Sequence, residues 1–248
     1  MCHFAVAFLE RALPQLSRKG LRAFLELQYR FARAGLEAET SGPEKLAKVE
    51  AVQKSLSERL GTSRIGTSHR EELAVISLDV RGSSQLAATN TREDIFVAFH
   101  CLLPMAAFLI RQDGGEVIGL RGDGILGVVG FDEKYISTMV LSAYEIGMTL
   151  IEATTDVLNP FLDDKDVPIK FAVGVGVDHG PVTMTKIGFG DDFEVTAYGE
   201  AVNAAAKNSR GTNALWMSGG SKKFMKTFPA NEQYLAPGKQ RILDVLAK

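Results

Sequence analysis

Two short apolar runs, residues 115–120 and 125–130, are separated only by Arg121-Gly122-Asp123-Gly124. That spacing leaves the chain little choice but two antiparallel strands joined by a tight turn. The turn places a carboxylate at the hairpin tip, where glycines on both sides tolerate backbone angles that other residues avoid. Around this hairpin the apolar period switches repeatedly between two and three to four residues, the mark of interleaved strands and helices.

Residues 73–78 read as a short buried strand, 91–111 as a helix carrying Phe96, Phe99, Leu103 and Leu109, and 135–158 as a second helix. Strands are expected at 169–177, 182–187 and 194–197, with a turn at 188–192. A helix over 199–209, a strand at 215–218 and a final helix and hairpin complete this part. The expected fold is α/β, an α+β sandwich with helices flanking a mixed sheet.

The N-terminal part differs. Residues 3–34 read as helix, with Leu21, Phe24, Leu25, Gln28, Phe31 and Ala32 at helical spacing and Pro14 able to split it in two. Ser41-Gly42-Pro43 breaks it and starts another helix, whose stripe is Leu46, Val49, Val52, Leu56 and Leu60. Residues 61–69 are polar and read as a linker. The expected division is a helical region and linker at 1–70 and one catalytic domain at 71–248.

Charge excludes several function classes. The 28 basic and 30 acidic residues leave a net charge of −2, so no polybasic field points to nucleic acid or an anionic membrane. A small anionic ligand must be held by a few placed cations or by metal ions. Cys2 and Cys101 form no metal-ligand pattern and read as reduced thiols. The apolar run at 4–9 is cut by Glu10 and Arg11, which argues against a secretory signal. No stretch reads as the roughly 20 apolar residues of a membrane span, so a cytoplasmic location is expected.

Three islands carry chemistry. In the first, the strand 73–78 ends in Asp79 and runs through Val80-Arg81-Gly82-Ser83-Ser84, a small polar turn. The second is the hairpin with Asp123. The third, Thr196-Ala-Tyr-Gly199-Glu-Ala-Val-Asn203-Ala-Ala-Ala-Lys207, is a strand end entering a helix. Singly, Asp79 could cap the next helix, Asp123 could merely turn the hairpin, and Asn203 could satisfy a backbone group. Together, two acids at the exposed ends of adjacent buried strands suit hard cations, which take oxygen ligands. The loop 81–84 offers backbone N–H groups that suit phosphate.

These islands, with Val173-Gly-Val-Gly-Val-Asp-His-Gly180-Pro-Val182, resemble the class III adenylate and guanylate cyclases. The four motifs stand in family order over roughly residues 72–245. The resemblance implies that Asp79, Asp123 and the Val80 carbonyl bind two divalent cations, Mn²⁺ or Mg²⁺. It implies that 81–84 contacts the triphosphate and that Asn203 orients the ribose from the partner subunit of a homodimer with shared active sites. Lys239 and Arg241 fall where family members bring a cation to the terminal phosphates.

Two departures bear on the substrate. The family's transition-state arginine is Lys207 here, which keeps the charge but loses the bidentate fork; Arg210 is a candidate helper. The lysine that adenylate cyclases use to read the purine is replaced by Gly119, while its partner position holds Thr196. Guanylate cyclases place glutamate at that lysine position, also absent. Arg121, two residues on and on the same strand face, could reach a smaller base.

The chain is in these respects similar to the bacterial pyrimidine cyclases of antiphage signalling, which implies UTP ahead of CTP as substrate. It also implies a separate cyclic-nucleotide-binding effector, with neither nucleic acid nor membrane as partner. The rival readings are an adenylate cyclase with an altered base pocket and an inactive cyclase-like module that binds nucleotide and regulates a partner.

Overall fold

The computed structural model describes residues 17–39, 66, 68–131, 133–189 and 192–225. The expected helix segments at 3–16 and 46–60, most of the linker and the C-terminal hairpin lie outside these residues. In chain order the elements are α1 (Arg18–Glu39), β1 (Ser68–Val80), α2 (Ser83–Thr89), α3 (Arg92–Gln112), β2 (Gly115–Arg121) and β3 (Gly124–Val129). Then come α4 (Ile136–Ala153), a π-helical turn (Thr154–Leu158), α5 (Asn159–Asp163), β4 (Val173–Phe189), β5 (Asp192–Tyr198), α6 (Glu200–Asn208), β6 (Ala214–Met217) and α7 (Gly219–Met225).

The strands form one mixed sheet in the order β2-β3-β1-β4-β5, with β6 pairing parallel to the first part of β4 and every other pair antiparallel. The two ends of that order, β2 and β5, also touch each other, so the sheet is curled. Alternation along β1 divides the core. Ala74, Ile76, Leu78 and Val80 join the larger cluster with residues of α1, α3 and α4, while Leu73 and Val75 join a smaller one with Ala201, Val202 and Ala205 of α6. Each of the fully buried leucines and isoleucines contributes about 2 kcal/mol by leaving water.

β1 begins at Ser68, inside the expected linker, and three further elements differ from the sequence-based reading. The strands expected at 169–177 and 182–187 are one continuous β4. Gly180-Pro181 does not break it because Pro181 pairs with Glu72 on one side while the β5 ladder on the other begins only at Thr183. The missing proline N–H is therefore not needed there. Residues 169–172 stay outside the strand: Phe171 bonds through both N–H and C=O to the side-chain amide of Asn159, at 2.8 and 2.9 Å. Third, α3 is long and apolar enough to cross a membrane by length and composition. Here it is a core helix, burying Val97, Ala98, Cys101, Leu102, Met105, Ala106, Leu109 and Ile110.

Burial pushes the Cys101 thiol up to about 12, which keeps it protonated and unreactive. The helix α1 buries Leu21, Phe24, Leu25 and Ala32 as its spacing predicts, though Phe31 is exposed. It docks by stacking Phe24 on Phe108, centroids 4.8 Å apart, and by an ion pair from Lys165 to Glu26 at 2.7 Å. At the other end of the chain, Asp178 accepts hydrogen bonds from Ser218 (2.5 Å) and Ser221 (2.6 Å), fastening α7 to β4.

The Val-Gly-Val-Gly-Val run of β4 has a specific task. Its valines enter the larger core, and its glycines lie under α6. A Cβ on Gly174 would fall 2.8 Å from the Ser209 carbonyl oxygen, and one on Gly176 would land on that of Ala205. The helix backbone therefore rests on bare strand. Replacing Gly176 by alanine must lift α6 and is expected to cost roughly 2 kcal/mol or more. Thermal unfolding of Gly176→Ala should show a midpoint about 5 °C or more below wild type.

Candidate active site

The site begins where β1 ends. Asp79 stands opposite Gly124 of β3 on one side and Gly174 of β4 on the other. Because Gly124 directly follows Asp123, this register brings both acids to one end of the sheet, on adjacent strands. Gly124 is required for the approach, since a Cβ there would lie 2.6 Å from the Leu78 carbonyl oxygen. Asp123 at the tip is partly exposed, as is Asp79. Val80 sends its side chain into the larger core, so only its backbone is free to serve a ligand.

Past Val80 the chain turns over Arg81 and Gly82. The Arg81 N–H donates to the Ala172 carbonyl at 2.8 Å, which fixes the start of the loop against the chain entering β4. Gly82 takes a left-handed conformation (φ 67°) at the start of α2, and no side chain caps that helix. Ser83 and Ser84 open α2, whose residues are none of them buried. The Arg81 guanidinium pairs with Asp79, and its Nε is buried without a hydrogen-bond partner among the described residues. A buried donor without an acceptor is costly and marks a place where an anionic ligand would be welcome.

Among the described residues no group of three or more His, Cys, Asp or Glu surrounds one point. The donor set is two carboxylates and a backbone carbonyl, oxygen throughout. Small hard cations are usually held by one or two carboxylates with substrate phosphates completing the shell. The residues therefore fit Mg²⁺ or Mn²⁺ arriving with a polyphosphate.

The third island is laid out along β5 and α6. Thr196 is buried, opposite Thr185 of β4. Asn203 and Lys207, four residues apart and so on one helix face, are both exposed. Arg210 lies beyond α6 with its guanidinium 4.5 Å over the Trp216 ring, a cation–π contact that commits it to the β6 edge. Arg121 occupies the β2 position opposite Gly124, and Gly119 the one opposite Leu126, so both sit in phase with Asp79. Lys239 and Arg241 lie outside the described residues.

One residue escaped the sequence-based reading. Glu194, two before Thr196 on β5, brings its Oε1 to 3.6 Å from where a Cβ on Gly119 would be. The available signal was strand alternation, which puts residues 194 and 196 on one side of β5. Its pairing with Gly119 needed the curl of the sheet.

The family described as adenylate and guanylate cyclase catalytic domain matches residues 65–226, and the chain belongs to it. It is 25% identical over 150 residues to a uridylate cyclase of Burkholderia cepacia, covering 58% of this chain and 62% of that one. It is 23% identical over 154 residues to an adenylate cyclase of Anabaena cylindrica, covering 58% of this chain and 28% of that one. The chain thus spans less than two thirds of the length of either relative. Its fold is similar to that of the adenylyl cyclase CyaB from P. aeruginosa, with a TM-score of 0.58 at 18% identity, covering 64% of this chain and 83% of that one.

Removing the Arg81 guanidinium should weaken triphosphate binding more than it slows turnover. For Arg81→Ala we expect KM for the nucleotide to rise about tenfold, the size of one charge-assisted hydrogen bond. Steady-state kinetics with saturating Mn²⁺ checks this.

Proposed function

We propose that the chain is a nucleotidyl cyclase that converts a pyrimidine ribonucleoside triphosphate, UTP ahead of CTP, to its 3′,5′-cyclic nucleotide and pyrophosphate. The observation that carries the reading is the β1–β3 register, which sets Asp79 opposite Gly124 and so beside Asp123. In the reaction the ribose 3′-oxygen forms a bond to the α-phosphorus. The bond from that phosphorus to the bridging oxygen breaks, pyrophosphate leaves, and the 3′-hydroxyl proton passes to solvent.

The side chains divide the work. The carboxylates of Asp79 and Asp123 and the Val80 carbonyl would hold divalent cations. When bound, those cations supply Lewis-acid stabilisation of the phosphates and make the 3′-hydroxyl more acidic. Arg81 turns from Asp79 to the phosphates, joined by backbone N–H groups of Gly82, Ser83 and Ser84. Asn203 orients the ribose. Lys207 sets a point charge against the negative charge growing on the α-phosphate. Since the attack is in line and involves no covalent enzyme intermediate, positioning and electrostatics provide the acceleration.

Support for a pyrimidine is the missing side chain at Gly119, the presence of arginine at position 121 in the sequence and the similarity to a uridylate cyclase. We assign the active form as a homodimer with two shared sites, Asn203 and Lys207 of each copy serving the other. Their exposure on α6 suits this. So does the exposure of the apolar side chains of Leu120, Ile187, Phe189 and Tyr198, Phe189 being 91% exposed. The domain at 71–248 would work in the cytoplasm, its product read by a separate cyclic-nucleotide-binding effector in antiphage defence.

Incubating the purified chain with each of the four triphosphates and Mn²⁺ should give cyclic UMP as the main product. Asp123→Ala should lose at least about a hundredfold in rate, since it removes charge stabilisation at the reacting phosphates. Predominant cyclic AMP overturns the pyrimidine reading, and no product from any nucleotide overturns the cyclase reading. The shared site has its own test. Mixing inactive Asp79→Ala with inactive Asn203→Ala should restore about a quarter of wild-type activity, because half of randomly paired dimers carry one intact site of two. Mixtures that stay inactive would exclude it.

A further inference from the structure

The base-facing end of the half-site contains a charge that the reaction does not use. The curl of the sheet brings β2 and β5 together, and at their approach β2 offers only Gly119. Into the space beside it comes Glu194, its Oε1 at ordinary van der Waals distance, 3.6 Å, from a notional Cβ on Gly119. The Glu194 side chain is exposed, and among the described residues it makes no hydrogen bond or ion pair. Thr196 is buried one strand repeat further along the same side of β5. The strand then passes through Gly199 into α6, which carries Asn203 and Lys207. Glu194, Thr196, Asn203 and Lys207 therefore lie along a single stretch of chain, with the carboxylate at the end away from the ribose and α-phosphate groups.

Resting on the cyclase reading above, we propose that Glu194 is the residue that reads the base, accepting a hydrogen bond from a ring N–H of the nucleobase. An ionised carboxylate only accepts hydrogen bonds. Uracil presents N3–H on its pairing edge, and guanine presents N1–H. Cytosine and adenine present a lone pair at the corresponding ring nitrogen, which the carboxylate repels. Glu194 thus selects UTP over CTP, a distinction that neither Gly119 nor Arg121 makes by itself. Its exposure in the single chain keeps the discrimination modest. One charge-assisted hydrogen bond corresponds to a preference of about tenfold to a hundredfold. The position of the acceptor, on the strand facing Gly119 and not on β2 itself, explains why β2 has no side chain to give at that point.

The test measures binding separately from turnover. Isothermal titration of the full chain with Mn²⁺ and the 3′-deoxy triphosphates of uridine, cytidine, guanosine and adenosine reads affinity in ligands that lack the nucleophile. Wild type should bind the uridine analogue about tenfold to a hundredfold more tightly than the cytidine one. Glu194→Gln, which keeps the shape and adds an N–H donor, should bring that ratio close to one at an unchanged unfolding midpoint. In turnover the same variant should raise KM for UTP while leaving kcat nearly as it was.

If Glu194→Gln retains the wild-type uridine-to-cytidine ratio, Glu194 does not read the base, and UTP cyclisation by wild type still stands. If the guanosine analogue binds best and loses its advantage in Glu194→Gln, the carboxylate reads a ring N–H, and it is the pyrimidine assignment that fails. If the adenosine analogue binds best in both proteins, the base-reading role is overturned.

Discussion

The antiparallel register of β1 between β3 and β4 is the constraint from which the rest follows. Strand side chains alternate, so a slip of one residue would turn Asp79 into the larger core and send Leu78 to the ligand side. Such a slip would bury a carboxylate and expose a leucine, both costly. The six consecutive buried residues from Leu73 to Leu78 therefore do more than fill two cores: they lock the phase of β1 and, with it, where the acid emerges. Gly124 and Gly174, opposite Asp79 on either side, let backbone approach closely, the Leu78 carbonyl at the first and Ser209 at the second.

Much of this arrangement was legible in the chain because it depends on local rules. Gly122-Asp123-Gly124 between apolar runs could only be a tight turn, and an apolar strand ending in Asp79 had to release its acid at an edge of the core. The helical spacing of Leu21, Phe24, Leu25 and Ala32 foretold the buried face of α1. Reading failed where the outcome depended on what lay alongside. Gly180-Pro181 looks like a strand break until it is seen that the neighbouring ladder starts two residues later. Residues 169–172 look like strand, but a single asparagine side chain satisfies Phe171 in place of a ladder. The apolar helix 92–112 has the composition of a membrane span, and only its packing shows that it is core.

The site divides in the same way. Asp79 and Asp123 could be paired from sequence because hard cations want several oxygen ligands and the motif order resembles the cyclases, although α2, α3 and β2 separate β1 from β3 in the chain. Arg81 was expected to face phosphate, and its pairing with Asp79 was not foreseen. That ion pair is intelligible once the cost of isolated charge is considered. A carboxylate held near the core is costly alone, and a guanidinium two residues away offsets its charge. Glu194 was invisible for a different reason. Its relation to Gly119 spans 75 residues of sequence and exists only because the sheet curls far enough for β2 and β5 to touch.

Close backbone packing on one side of α6 is tied to two exposed side chains on the other. Asn203 and Lys207 stand in solvent on α6, where side chains ordinarily have freedom to wander. Yet catalysis that relies on positioning loses much of its advantage if reacting groups move by an ångström. The helix meets that demand through its underside: Ala205 and Ser209 rest on the backbone of Gly176 and Gly174, with no side chain between to yield or repack. Valines alternating with those glycines hold β4 in the core from the opposite face. The Val-Gly-Val-Gly-Val run is thus a rigid seat. It converts the stability of the buried sheet into a fixed position for two exposed side chains.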